Sequence, residues 1–157
     1  MAFSRNQINK IRFDDPVTFL TKAQRAYLDK SWAGYFATEI FPKIDESRYE
    51  VLYSANAGRY NTPINQMVSL LILKDLTNLS YVNLLNEVAL DLRYKYALCC
   101  TDKVDSPAGA STLSNLRNRI RQYKNKTGID LYQSTLSDIR PQLDELIAKY
   151  KFKPKKL

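Results

Sequence analysis

The chain has 157 residues, with 24 Lys plus Arg against 16 Asp plus Glu and no His, for a formal net charge of +8. That length suits one domain with a substantial core, and a hydrophobic fraction of 45% argues for a folded chain rather than a disordered one. Without His there can be no Ser-His-Asp triad, no Cys-His dyad, no His general base and no His metal ligand. Cys99 and Cys100 are adjacent, which predicts a reduced, intracellular protein with no disulfide framework. The start, Met-Ala-Phe-Ser-Arg-Asn-Gln, lacks the apolar region of a signal peptide. No run of about 18 apolar residues is present, so the expectation is a cytoplasmic protein with no membrane partner.

The charge is unevenly placed. Residues 1–60 carry a net +2, residues 61–110 a net −1 and residues 111–157 a net +7. Such asymmetry points to a polyanionic partner, most often nucleic acid, against the alternative of a merely solvated surface.

Strand-like alternation is poor and helical spacing recurs, so the predicted class is all-α. Asp14-Asp15-Pro16 reads as a helix start with Pro16 at the first position, and Thr21 as an N-cap leading into Lys22–Ser31. Trp32, Tyr35, Phe36, Ile40 and Phe41 suit an amphipathic helix ended by Pro42, with core packing the simplest role for the aromatics. Residues 43–60 read as irregular, and Ser54–Tyr60 as a loop. Asn61-Thr62-Pro63 predicts an N-cap with Pro at N1, opening a helix from Ile64 to about Thr77 that is apolar almost all round and hence central and buried. Ser80 caps a helix from Tyr81 to about Leu90, with Val82, Leu85, Val88, Ala89 and Leu92 expected on its inner side. Arg93–Leu98 either continues it or forms a short helix of its own. Residues 99–110 read as a loop. Ser111 opens a helix to about Lys126 that Gly128 stops, and a last helix runs from about Ile129 to Tyr150, interrupted or bent at Pro141. This divides the chain into a helical unit, 1–128, and a C-terminal helix with a basic tail, 129–157.

The helix Thr112–Lys126 carries the most information. Leu113, Leu116, Ile120 and Tyr123 form one buried stripe at spacings of 3, 4 and 3. The remaining surface holds Asn115, Arg117, Asn118, Arg119, Arg121, Gln122, Lys124, Asn125 and Lys126, which includes 5 basic residues and no acid. Arg forks to guanine or phosphate, and Asn or Gln pairs with adenine. Ser111, Thr112 and Ser114 at the amino end are placed to bind phosphate with the help of the helix dipole. An exposed helix with no acid forgoes i,i+4 salt bridges, so a partner outside the chain is expected to offset its charge. With Tyr81–Leu90 before it, the helix suggests a helix-turn-helix-like unit, although the connecting loop is longer than the usual tight turn. The alternative is a solvated basic face.

Two C-terminal features stay open. Lys151-Phe152-Lys153-Pro154-Lys155-Lys156 suits phosphate tracking, a disordered end or a linker. Tyr132, Leu136, Ile139, Leu143, Leu146 and Tyr150 make a heptad-like seam that would pair two copies in a homodimer or pack on its own domain. Packing at home is favoured, since Pro141 interrupts a long zipper. The acids are scattered, and no Gly-rich phosphate loop is present.

Three motifs in order resemble one family. Arg59-Tyr60-Asn61-Thr62-Pro63-Ile64-Asn65-Gln66-Met67-Val68-Ser69-Leu70-Leu71-Ile72-Leu73-Lys74, Leu90-Asp91-Leu92-Arg93-Tyr94-Lys95-Tyr96-Ala97-Leu98 and Ser111-Thr112-Leu113-Ser114-Asn115-Leu116-Arg117-Asn118-Arg119-Ile120 are similar to the helical N-terminal domain of bacterial insertion-sequence transposases. The last matches that family's S-T-L-x-x-F/L-R-x-R helix, and Leu28-Asp29-Lys30-Ser31-Trp32-Ala33-Gly34 also fits. The resemblance implies a region that recognises terminal inverted repeats in double-stranded DNA and precedes an RNase H-like domain with a metal-binding Asp-Asp-Glu trio. The sequence stops at Leu157 before such a domain, so no residue is matched to the trio. The expectation is a DNA-binding, nucleoid-associated chain that is not itself an enzyme, with no cofactor and no small-molecule substrate. The alternatives are a transposase-derived regulator or remnant, an oligomerisation module, and an enzyme in its own right.

Overall fold

Polar side chains one residue ahead of each apolar run set most of the helix starts. In the computed structural model, which describes residues 3, 5, 15–54, 61–102 and 106–157, Asp15, Thr21, Ser31, Ser80, Asp91 and Asp130 each accept a bond from a backbone N–H of the turn that follows. Thr21 and Gln24 form a full capping box. The resulting helices are α1 (Lys22–Lys30), α2 (Trp32–Tyr35), α3 (Ile64–Thr77), α4 (Tyr81–Leu90), α5 (Leu92–Ala97), α6 (Ala110–Thr127), α7 (Leu131–Asp138) and α8 (Arg140–Tyr150). A 3₁₀ turn, Pro16–Phe19, precedes α1. No strand occurs among the described residues, and the class is all-α.

The predicted elements hold well in the middle of the chain. α3 spans the expected residues, and eleven of its fourteen side chains are buried, so it is the pillar of the core. Its start differs from expectation. Pro63 is the cap position and supplies no side-chain bond, while Asn61 bonds to the Thr62 carbonyl instead. The N–H of Asn65 is met by Glu46 Oε1 at 3.2 Å, a cap delivered from another part of the chain.

Four further expectations are revised. The helix opened by Trp32 passes at Phe36 into a π turn, Phe36–Ile40, and Pro42 belongs to a short 3₁₀ turn, Phe41–Lys43. Residues 43–60, expected to be irregular, contain a 3₁₀ segment, Glu46–Leu52, which buries Tyr49 completely. Residues 55–60 of the expected loop and residues 103–105 of the next lie outside the described residues. In α4 the inner side is Leu84 and Val88 with half-buried Leu85, whereas Val82 and Ala89 face out. α4 is apolar on most of its faces, so periodicity alone does not choose the side that packs. α6 begins at Ala110, with Gly109 at the cap and no side-chain cap bond, rather than at Ser111.

α5 is a helix of its own, and α7 and α8 are separated at Ile139, with Pro141 in the first turn of α8. The C-terminal seam turns inward. Tyr132, Leu136, Ile139, Leu143 and Leu146 are buried in the same core as α3, and Tyr150 packs against its edge. The tail is docked too. Phe152 lies edge-on to Trp32 at 6.0 Å between ring centres, and Leu157 packs against the core.

Candidate nucleic-acid interface

α6 is 18 residues long and ends at Gly128, whose φ of 77° closes the helix in the left-handed region. Its buried stripe is the expected one, with Leu113, Leu116 and Ile120 in the core and Tyr123 half-buried. The helix period then sorts the remaining side chains into an outward face and two flanks.

The flanks are committed within the chain. Arg117 reaches Asp75 Oδ2 at 2.8 Å and lies over the Tyr132 ring at 5.1 Å. Asp75, on the buried side of α3, also accepts a bond from the Tyr132 hydroxyl at 2.8 Å. Burial acts to lower the Arg117 pKa, but the bond and charge of Asp75, with Tyr132 and Tyr81 near, outweigh it and keep the guanidinium above its ordinary value. Burial, reinforced by Asp75, holds the Tyr132 phenol well above its ordinary range, so it stays a donor. Lys124 pairs with Asp130 Oδ2 at 3.1 Å. On the opposite flank Arg119 stacks on Tyr53 at 5.1 Å and donates to the Leu52 carbonyl at 3.4 Å, tying α6 to the 3₁₀ segment.

The acid-free helix therefore does not rely on an outside partner for all its charge. Asp75 and Asp130, from other elements, offset part of it. Sequence reasoning did not single out Asp75. The signal that would have found it is one carboxylate in an otherwise apolar helix, beside a basic helix lacking any.

The outward face is different. Asn115, Asn118, Gln122 and Asn125 follow at spacings of 3, 4 and 3, so they share one side of the helix. Ser111 and Ser114 extend that side toward the amino end, and Thr112 sits half-buried on the Arg119 flank. Arg121 is exposed on the same side and bonds to Asn118 Oδ1. Gln122 and Lys126 are also exposed. The structure thus brings Ser111, Ser114, Asn115, Asn118, Arg121 and Gln122 to one surface, with Lys126 at its edge and Arg117, Arg119 and Lys124 turned to the flanks.

α4 packs against α6, but α5 and a loop stand between them in the chain, so the pair is not joined by a tight turn. Among the described residues no group of three or more His, Cys, Asp or Glu side chains is placed to hold a metal ion. No helix of the described residues is long and apolar enough to cross a membrane.

These features define an all-α domain that presents one long polar helix, free of acids, on its surface. The family described as Transposase domain (DUF772) matches residues 26–119, more than half of the chain, and the chain belongs to that family. Neither a curated protein nor a solved structure matches it. The matched span runs from α1 into α6. It includes Arg117 and Arg119 but stops before Arg121, Gln122, Lys124, Lys126 and the two C-terminal helices.

Proposed function

We propose that this chain binds double-stranded DNA through the outward face of α6, recognising the terminal inverted repeats of a bacterial insertion sequence in transposition. The observation that carries the reading is the amide row Asn115, Asn118, Gln122 and Asn125 on one side of a helix with no acid of its own, flanked by Arg121 and Lys126. Amides and guanidinium groups supply the donor and acceptor pairs that base edges in the major groove present. Lys126 and the hydroxyls of Ser111 and Ser114 suit phosphates. In this reading the chain recognises DNA and does not cut it. The carboxylates beside α6 are consumed in ion pairs, Asp75 with Arg117 and Asp130 with Lys124. Transposase membership supports a role in transposition, and the chain would act among nucleoid DNA in the cytoplasm.

Selection of duplexes from a random library at two salt concentrations tests this. One enriched motif is expected, and it is lost in Asn115→Ala/Gln122→Ala, whose side chains are exposed and whose removal leaves the core intact. Arg121→Ala should weaken binding by about 1–3 kcal/mol. Binding without enrichment that collapses with salt would leave only phosphate tracking, and no binding at either salt would end the DNA reading.

A further inference from the structure

A side chain at the end of α3 clamps the C-terminal basic segment between two apolar anchors. Asn78 takes the left-handed conformation that closes α3, with φ of 57°. Its amide then spans the backbone of the tail: Nδ2 donates to the Lys153 carbonyl at 2.9 Å, and Oδ1 accepts from the Lys155 N–H at 3.0 Å. The amide thus meets the segment as a neighbouring strand would. Phe152 against Trp32 anchors one side of this clamp, and Leu157 against the core anchors the other. Lys156 lies between these fixed points.

That placement brings Lys156 to an open groove of about 520 Å³ beside α6, which Arg117, Arg121 and Lys124 also line. The two carboxylates in the groove, Asp75 and Asp130, are each already paired, with Arg117 and Lys124. Among the described residues, Arg121 and Lys156 therefore have no carboxylate partner and supply the excess positive charge. Four cations against two acids, in a concave site partly walled by Tyr81 and Tyr132, strengthen attraction for an anion over that of the same lysines on a flat surface.

We propose that this groove holds a stretch of the DNA phosphate backbone, and that the tail contributes to binding by delivering Lys156 to it through the Asn78 clamp. The inference rests on the DNA-binding reading above and adds Lys156, a contact from outside α6, to a groove whose rim shares Ser114, Asn118 and Arg121 with the outward face. α6 would then face base edges with its amides while the groove beside it grips a strand and fixes the register of the helix on the duplex.

The test uses the full chain, a random-sequence duplex of about 20 base pairs and fluorescence anisotropy across a salt series, with far-UV circular dichroism confirming that each variant is folded. Lys156→Ala should lower the slope of log affinity against log salt by about 1. Asn78→Gly keeps the left-handed backbone and all the lysines but removes both clamp bonds. It should reproduce most of the affinity loss of Lys156→Ala, roughly three- to tenfold. Lys153→Ala and Lys155→Ala remove the same charge away from the groove and should cost clearly less. Equal losses for all three lysines would reduce the tail to bulk charge and overturn the groove. Wild-type affinity and slope in Lys156→Ala or in Asn78→Gly would also overturn it, while the DNA reading stands. No binding by the wild-type chain would remove both.

Discussion

Asp75 shows how one residue ties a basic helix to an apolar core. It is 7% exposed, on the helix that forms the pillar, and both of its partners come from other helices. Removing one member of a buried ion pair leaves the other charge desolvated without compensation. Asp75→Ala should therefore cost about 3 kcal/mol, read as a shift of the urea midpoint. A loss under about 1 kcal/mol would mean that the pair acts like an exposed one. The same contact explains why Arg117→Ala would confuse a test of DNA binding with a loss of stability, whereas Arg121 can be removed cleanly. Tyr49 gives a second prediction at this scale. Burial pushes its phenol up to about 12, against the opposing bond with Thr135 and the charge of Arg48. The native state thus keeps a proton that the unfolded chain releases from about pH 10. Its contribution is complete below pH 10 and is lost as the pH rises toward 12, on the order of 3 kcal/mol. Stability measured from pH 8 to 12 should fall less steeply in Tyr49→Phe than in the wild type, and parallel curves would contradict the assignment.

Two glycines serve their helices for different reasons. At Gly34 in α2, a Cβ would lie 2.1 Å from the carbonyl oxygen of Asp29, so α1 and α2 meet only because that atom is missing. Gly34→Ala would force backbone apart and should cost about 3 kcal/mol. Gly128 has open space around it but a φ of 77°, and Gly128→Ala should cost about 1 kcal/mol, from backbone strain alone. Thermal unfolding of the two variants separates a steric clash from a conformational penalty, and a larger loss at Gly128 would reverse this account. Capping was legible at this scale. Thr21, Ser80 and Gly128 mark real helix ends because a cap is a local bond between near neighbours in the chain. The left-handed end of α8 at Lys151 was not legible, because it follows from the docking of Phe152 on Trp32 and not from any preference of lysine.

Across the whole molecule, the C-terminal third both completes the core and carries most of the excess charge. Leu136, Ile139, Leu143 and Leu146 belong to one cluster with α3, so removing residues 129–157 should abolish cooperative unfolding and not merely yield a smaller folded monomer. A truncated chain with the wild-type melting temperature would contradict this. The direction of the seam was the preferred sequence reading, since Pro141 divides it into two short helices that suit packing at home. The tail was open between order and disorder, and its bonds to Asn78 together with the docking of Phe152 and Leu157 decided it.

The order of residues alone dictates the all-α class, the buried pillar Ile64–Thr77, the inward stripe of α6 and the excess of basic residues toward the C-terminus. Each follows from periodicity, capping or counting, which act over a few residues. It also carried the family resemblance, through motifs that lie in register along the chain. Folding in three dimensions sorts the basic residues of α6, among the described residues, into those held by a distant carboxylate, carbonyl or ring and those that are not. Arg117, Arg119 and Lys124 look alike in sequence to Arg121 and Lys126, yet their partners lie at Asp75, at Leu52 and Tyr53, and at Asp130. A charge is spent or available according to what folding brings within a few ångströms of it, and for Arg117 and Arg119 those contacts come from far along the chain.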